Sequence, residues 1–121
     1  MEPQIVASFD LDSEGNPEAI QANDLRHYKI RLHVEGVPDE TYAVTYGLHN
    51  TYFNPLREST AKDKAFEEAL TSYGDYSVRA KIRTTDGAYS ISRNLTDALA
   101  AGYGSRTSDA VRAAIEDLRK K

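Results

Sequence analysis

Residues 26–34 read Arg-His-Tyr-Lys-Ile-Arg-Leu-His-Val, and this stretch decides the fold. Tyr28, Ile30, Leu32 and Val34 alternate with His27, Lys29, Arg31 and His33. Successive side chains of a β-strand point to opposite faces, so the spelling predicts a strand with one apolar and one wet face. Strands of that kind belong to antiparallel sheets covered on one side only. The same period of two recurs along the chain. Ile5, Ala7, Phe9 and Leu11 form an earlier run, and Tyr42, Val44, Tyr46 and Leu48 a later one. Tyr76, Val78, Ala80 and Ile82 follow, with Ser77, Arg79, Lys81 and Arg83 outward, and Tyr89 and Ile91 mark a short last strand.

The joints carry turn chemistry. Ser13-Glu14-Gly15-Asn16-Pro17 ends the first run, Glu35-Gly36-Val37-Pro38-Asp39 the second, and Asp86-Gly87 reads as a tight hairpin turn. Short strands punctuated in this way predict a β-sandwich. Residues 63–71 (DKAFEEALT) have the composition of a helix, with Phe66 and Leu70 at i, i+4, and a length equally suited to an edge strand. After Asn94 the alternation stops. Gly102 and Gly104 read as a flexible joint. Thr107-Ser108 can then cap a helix whose apolar stripe is Val111, Ala114, Ile115 and Leu118, with Arg119, Lys120 and Lys121 at its C-terminus. The expected organisation is an all-β sandwich over residues 1–95 and a C-terminal helical extension over 96–121.

The chain has 121 residues, enough for one domain with one core. With no cysteine, disulfides and thiolate metal sites are excluded, which suits a reducing compartment. A net charge of −4 gives no excess of cations for nucleic acid. No apolar run approaches the ~20 residues that span a bilayer. The acidic start lacks the basic and apolar pattern of a leader. These features predict a cytoplasmic domain with neither nucleic acid nor membrane as partner.

Aromatic residues gather where a sandwich turns. Tyr52 and Phe53 follow the 42–48 run, Tyr73 lies in the turn Ser72-Tyr73-Gly74-Asp75-Tyr76, and His49 and Thr51 add an imidazole and a hydroxyl. Loop-borne rings at the end of a sandwich point to binding. Leu48-His49-Asn50-Thr51-Tyr52-Phe53-Asn54-Pro55 resembles the LH-x-[ST]-[FY]-x-x-P segment of the YEATS domain family, and Ser72-Tyr73-Gly74-Asp75-Tyr76 resembles its second, aromatic turn motif. The likeness is to the prokaryotic branch and covers roughly residues 1 to 95. It implies an immunoglobulin-like β-sandwich with a groove at one end, which in eukaryotic members reads acylated lysine. It implies Tyr52, Tyr73 and Tyr76 around the acyl chain, Thr51 on the amide with His49 orienting its hydroxyl, and a backbone N–H near Tyr73-Gly74 on the amide oxygen. The ligand-binding set is therefore His49, Thr51, Tyr52, Tyr73, Gly74 and Tyr76. Phe53 stands where the family often has proline, Tyr73 where tryptophan is usual, and Asp75 puts a negative charge near the groove mouth. The chemistry is coherent: acylation removes the lysine charge and leaves a flat amide that rings can sandwich and a hydroxyl and an N–H can satisfy.

Other constellations lead less far. Asp10-Leu11-Asp12-Ser13-Glu14-Gly15 mimics the start of a calcium loop, but Gln21 stands where the twelfth-position glutamate belongs. His27 and His33 lie six residues apart on one strand, too far to share a metal. Arg79, Lys81 and Arg83 form a solvated basic row that could meet an acidic partner. No phosphate loop, metal-spaced cluster or serine elbow appears. The reading is a non-catalytic binding module without cofactor or metal. It recognises an acylated-lysine peptide or another protein partner, as sensor or adaptor. The alternative is a protein–protein interaction or scaffold domain of a bacterial signalling or defence system, without a small-molecule ligand.

Overall fold

The computed structural model describes residues 2–50, 52, 54–104 and 107–120. In chain order the strands are β1 (Gln4–Phe9), β2 (Ala19–Ala22), β3 (Leu25–Glu35), β4 (Thr41–Gly47), β5 (Leu56–Ser59), β6 (Glu68–Ser72), β7 (Ser77–Thr84) and β8 (Gly87–Asn94). The helices α1 (Leu95–Tyr103) and α2 (Asp109–Arg119) follow. The strands form two antiparallel sheets, one of β1, β2, β3 and β6 and one ordered β5-β4-β7-β8. Their inner faces share one core with both helices. This is the expected immunoglobulin-like sandwich, closed by two helices rather than one.

β3 is the spine of the first sheet. Tyr28, Ile30, Leu32 and Val34 are buried as their alternation requires. β6 runs along one side of β3, and β1 and β2 lie end to end along the other, paired with residues 35–30 and 28–25. The excursion between β1 and β2 is pinned where the Asp10 N–H donates to the Lys29 carbonyl and the Lys29 N–H to that of Glu18, both at 3.0 Å. The run starting at Ile5 therefore ends at Phe9, and Leu11 is left exposed. Within the excursion the Asp12 carboxylate accepts the N–H groups of Glu14 and Asn16, so this loop satisfies its acid with its own backbone.

In the second sheet Val44, Tyr46, Val78, Ala80 and Ile82 face inward. Tyr42 does not: it is 55% exposed. A bulge between Thr41 and Ala43 shifts the pairing with β7 and hands the buried place to Thr41. The β7–β8 hairpin turns on Thr85-Asp86, one residue earlier than the Asp86-Gly87 reading, because Thr84 pairs with Gly87.

Residues 63–71 are not a helix. A 3-10 turn at Lys62–Lys64 is followed by Ala65 and Phe66, both left-handed (φ 54° and 58°), and then by β6. Each left-handed residue costs roughly 1–2 kcal/mol. Burying the Phe66 side chain returns about 1.5–3 kcal/mol, and the β3–β6 ladder adds to it. The Phe66 carbonyl accepts the buried Tyr46 hydroxyl at 2.7 Å, which fixes the turn to the opposite sheet.

α1 occupies the segment read as a joint. Gly102 lies inside this helix and lets it touch β1: a Cβ there would stand 2.1 Å from the Ala7 carbonyl oxygen. The helix covers Val6, which is buried although it alternates away from Ile5 and Ala7. α2 begins as expected, with the Ser108 hydroxyl accepting the Val111 N–H, and buries Val111, Ala114, Ile115 and Leu118. Its Asp117 accepts the Tyr28 hydroxyl at 2.8 Å.

Candidate ligand-binding end of the sandwich

The loop after β4 folds back tightly, with the Leu48 N–H on the Pro55 carbonyl (2.7 Å) and the Tyr52 N–H on that of His49 (3.1 Å). This turns Tyr52 across to the other sheet, where its hydroxyl donates to the Thr71 carbonyl of β6 at 2.6 Å. The same hydroxyl accepts that of Tyr76 at 3.0 Å. The two rings meet edge to face, 5.7 Å between centroids, and the His49 ring packs on Tyr76 at 5.9 Å. Burial, and after it the adjacent Tyr52, pushes the Tyr76 phenol well above the ordinary tyrosine range, so it stays a neutral donor.

Arg57 closes the back of this cluster. Its guanidinium lies 5.8 Å from the Tyr52 ring centre and donates to the Asn54 and Ala69 carbonyls and to the Glu68 carboxylate. A fixed positive charge therefore faces the Tyr52 ring.

The second turn is built on Ser72, whose hydroxyl donates to the Gly74 carbonyl (2.7 Å) and accepts the Gly74 N–H (3.3 Å). Ser72 pairs with Tyr28 and points into the core, so Tyr73 points out. Its ring is 44% exposed and packs on His27 at 5.1 Å. Tyr73 thus forms its ring pair with His27 and not with Tyr52. Asp75 turns away from the mouth, its carboxylate accepting the Thr96 N–H (3.0 Å) and hydroxyl (2.9 Å) at the start of α1.

Of the residues named from the sequence, His49, Tyr52 and Tyr76 come together in one cluster. Tyr73 and Gly74 sit on the adjoining turn, with the Gly74 N–H engaged by Ser72, and Thr51 lies outside the described residues. Two neighbours were not anticipated. His27 reads as a wet-face histidine, yet it is half-buried and its Nε2 has no hydrogen-bond partner among the described residues. The Tyr28–Ser72 pairing is what sets it beside Tyr73, and a strand pattern alone does not reveal cross-strand register. Arg57 could be sought only as a cation near the first motif. Among the described residues no group of His, Asp or Glu could hold a metal ion.

The model of the prokaryotic YEATS domain matches residues 28–96. No curated protein sequence matches the chain. Among solved structures, the chain is similar to the yeast AF-9 homolog protein Yaf9, at 19% identity and a TM-score of 0.52 over 78% of this chain and 67% of that one. It is also similar to the Yaf9 YEATS domain recognizing an H3K122suc peptide (17% identity, TM-score 0.52, 78% and 76% covered). The same domain bound to H3K27ac gives 17% identity and a TM-score of 0.51 over 78% and 75%. At these identities the likeness extends to the fold alone.

Proposed function

This chain belongs to the prokaryotic YEATS domain family, and from that premise we propose that it is a non-catalytic binding module whose loop end takes an acylated-lysine or similar peptide-like ligand, as a sensor or adaptor. The observation that carries the reading is the convergence of both loop segments: Tyr52 from the first reaches Tyr76 at the end of the second and Thr71 of β6 before it. Their hydroxyls are spent on each other and on the backbone, so the rings are held before any ligand arrives and little side-chain entropy is lost on binding. Tyr73 and His49 stay exposed beside them as the adaptable part of the surface.

The electrostatics favour a neutral amide over an ammonium. A lysine charge entering along Tyr52 meets the Arg57 guanidinium, and the acid beside it, Glu68, is already engaged with Arg57 at 3.3 Å. The nearest acid of the second turn, Asp75, already holds two hydrogen bonds from Thr96. Acylation removes that conflict and leaves a plane suited to ring contacts.

The test is calorimetric titration with acetyl-, propionyl- and crotonyl-lysine peptides and their unmodified counterparts. The expected result is binding of at least one acylated peptide, at least tenfold tighter than the unmodified one, and its loss in Tyr73→Ala with the thermal midpoint unchanged. Equal binding of modified and unmodified peptides, or none at all, overturns the reading.

A further inference from the structure

The outer face of the second sheet carries a single file of cations. Arg79, Lys81 and Arg83 alternate along β7 with the buried Val78, Ala80 and Ile82. Their pairing partners on β4 are Gly47, Thr45 and Ala43, and on β8 Ser92, Ser90 and Ala88. Every flanking position is small and uncharged, so the three long side chains stand above a low floor on both sides. Neither Arg79 nor Lys81 forms an ion pair among the described residues. Arg83 has only Glu58, at 4.0 Å. The Arg83 Nε and the Thr45 hydroxyl are buried and have no hydrogen-bond partner among the described residues. On a chain of net charge −4 this is a local reversal of sign.

We propose that this face binds an extended acidic peptide segment with carboxylates at alternate positions. The charges of β7 repeat every second residue, about 6.6–6.8 Å apart. An extended peptide repeats its own side chains with the same period, so acids on one of its faces meet Arg79, Lys81 and Arg83 in step. Ser90 and Ser92 supply neutral hydroxyls alongside. A nucleic acid is the poorer fit, because no ring is interleaved with the three cations along β7. The row begins at Arg79, which pairs with Gly47 and so adjoins the aromatic loop end; the two sites are told apart by their variants, Tyr73→Ala for the loop end and Arg79→Gln/Lys81→Gln for the row.

The experiment is fluorescence anisotropy with a labelled Glu-Ser-Glu-Ser-Glu-Ser-Glu peptide at low salt. A Glu-Glu-Glu-Glu-Ser-Ser-Ser peptide, single-stranded DNA and anionic phosphatidylserine vesicles serve as the other arms. The alternating peptide is expected to bind tightest and to lose affinity as salt rises. The Arg79→Gln/Lys81→Gln variant is expected to weaken it about fivefold to tenfold, as two exposed ion pairs allow. Its far-UV spectrum and thermal midpoint are expected to match the parent, since both side chains are exposed. No binding, a change under twofold in the variant, equal binding of the blocked-charge peptide, or tighter binding of DNA or vesicles overturns the proposal.

Discussion

Removing the Asp75 carboxylate takes away the side-chain tie between the second aromatic turn and the C-terminal helices and leaves the backbone one, the Leu95 N–H on the Tyr76 carbonyl at 2.8 Å. Asn94, the residue before α1, makes no side-chain cap, and Asp75 supplies one from a distant loop by accepting the Thr96 N–H and hydroxyl. On its other side the Thr96 hydroxyl accepts the Arg119 Nε–H at 3.2 Å, so α2 is part of the same tie. Thr96 is 1% exposed, and water does not replace the lost acceptor. A lost cap costs about 1 kcal/mol. The stranded hydroxyl donor adds about 1 kcal/mol. Asp75→Ala is therefore expected to lose about 2 kcal/mol in urea unfolding followed by circular dichroism. At about 3–5 °C per kcal/mol for a chain of this size, the midpoint drops by about 6–10 °C. Asp75→Asn, which keeps an acceptor, loses about half as much. A cycle with Thr96→Val gives a coupling of about 1 kcal/mol. A loss under 0.5 kcal/mol for Asp75→Ala, on the scale of an ordinary surface change, or strict additivity in the cycle, refutes the reasoning.

Gly102→Ala sets helix propensity, worth about 1 kcal/mol in favour, against a Cβ 2.1 Å from the Ala7 carbonyl oxygen. Backbone cannot yield as a side chain does, so a net loss of about 1–3 kcal/mol is expected, and an unchanged or raised midpoint contradicts it. Ala65→Gly relieves a φ of 54° and is expected to gain about 0.5–1 kcal/mol by the same denaturation assay, a loss being the contrary result. Burial, and after it Glu68 and Glu67, raises the Tyr46 phenol above the unfolded value near 10. The unfolded chain releases that proton first, so its contribution is constant below about pH 10 and falls by up to about 1.4 kcal/mol per unit above it. Tyr46→Phe should flatten this alkaline slope, and an identical slope in the variant counts against the assignment. That variant also strands the Phe66 carbonyl and is expected to lose about 1–2 kcal/mol at neutral pH.

Where burial alone decides, the pattern of residues suffices. β3 from Tyr28 onward and β7 along its whole length alternate cleanly because one face of each is covered there. Tyr42 breaks the pattern because a bulge is an event between two strands and leaves no mark in one of them. Residues 63–71 favour helix locally, yet pairing with β3 and the burial of Phe66 outweigh propensities of a few tenths of a kcal/mol per residue. Gly102 looks like a joint in a linear reading, since only the approach of α1 to β1 gives it a different purpose. At the loop end the two motifs fall on the segments that carry the His49, Tyr52 and Tyr76 cluster, and the side-chain pairing within them is not legible in the sequence. Tyr73 turns to His27 because Ser72 takes the inward place, and Asp75 turns to Thr96 because α1 begins beside it. Both outcomes depend on register and on a helix that the glycines concealed.

The most direct test of ligand recognition is a backbone amide shift map of the 15N-labelled chain titrated with a crotonyl-lysine peptide, with the unmodified peptide as control. Shifts are expected only at residues 48–57 and 71–77, together with His27, and none with the control. Shifts spread over β7 and β8 alone, or the same map for both peptides, would contradict that expectation.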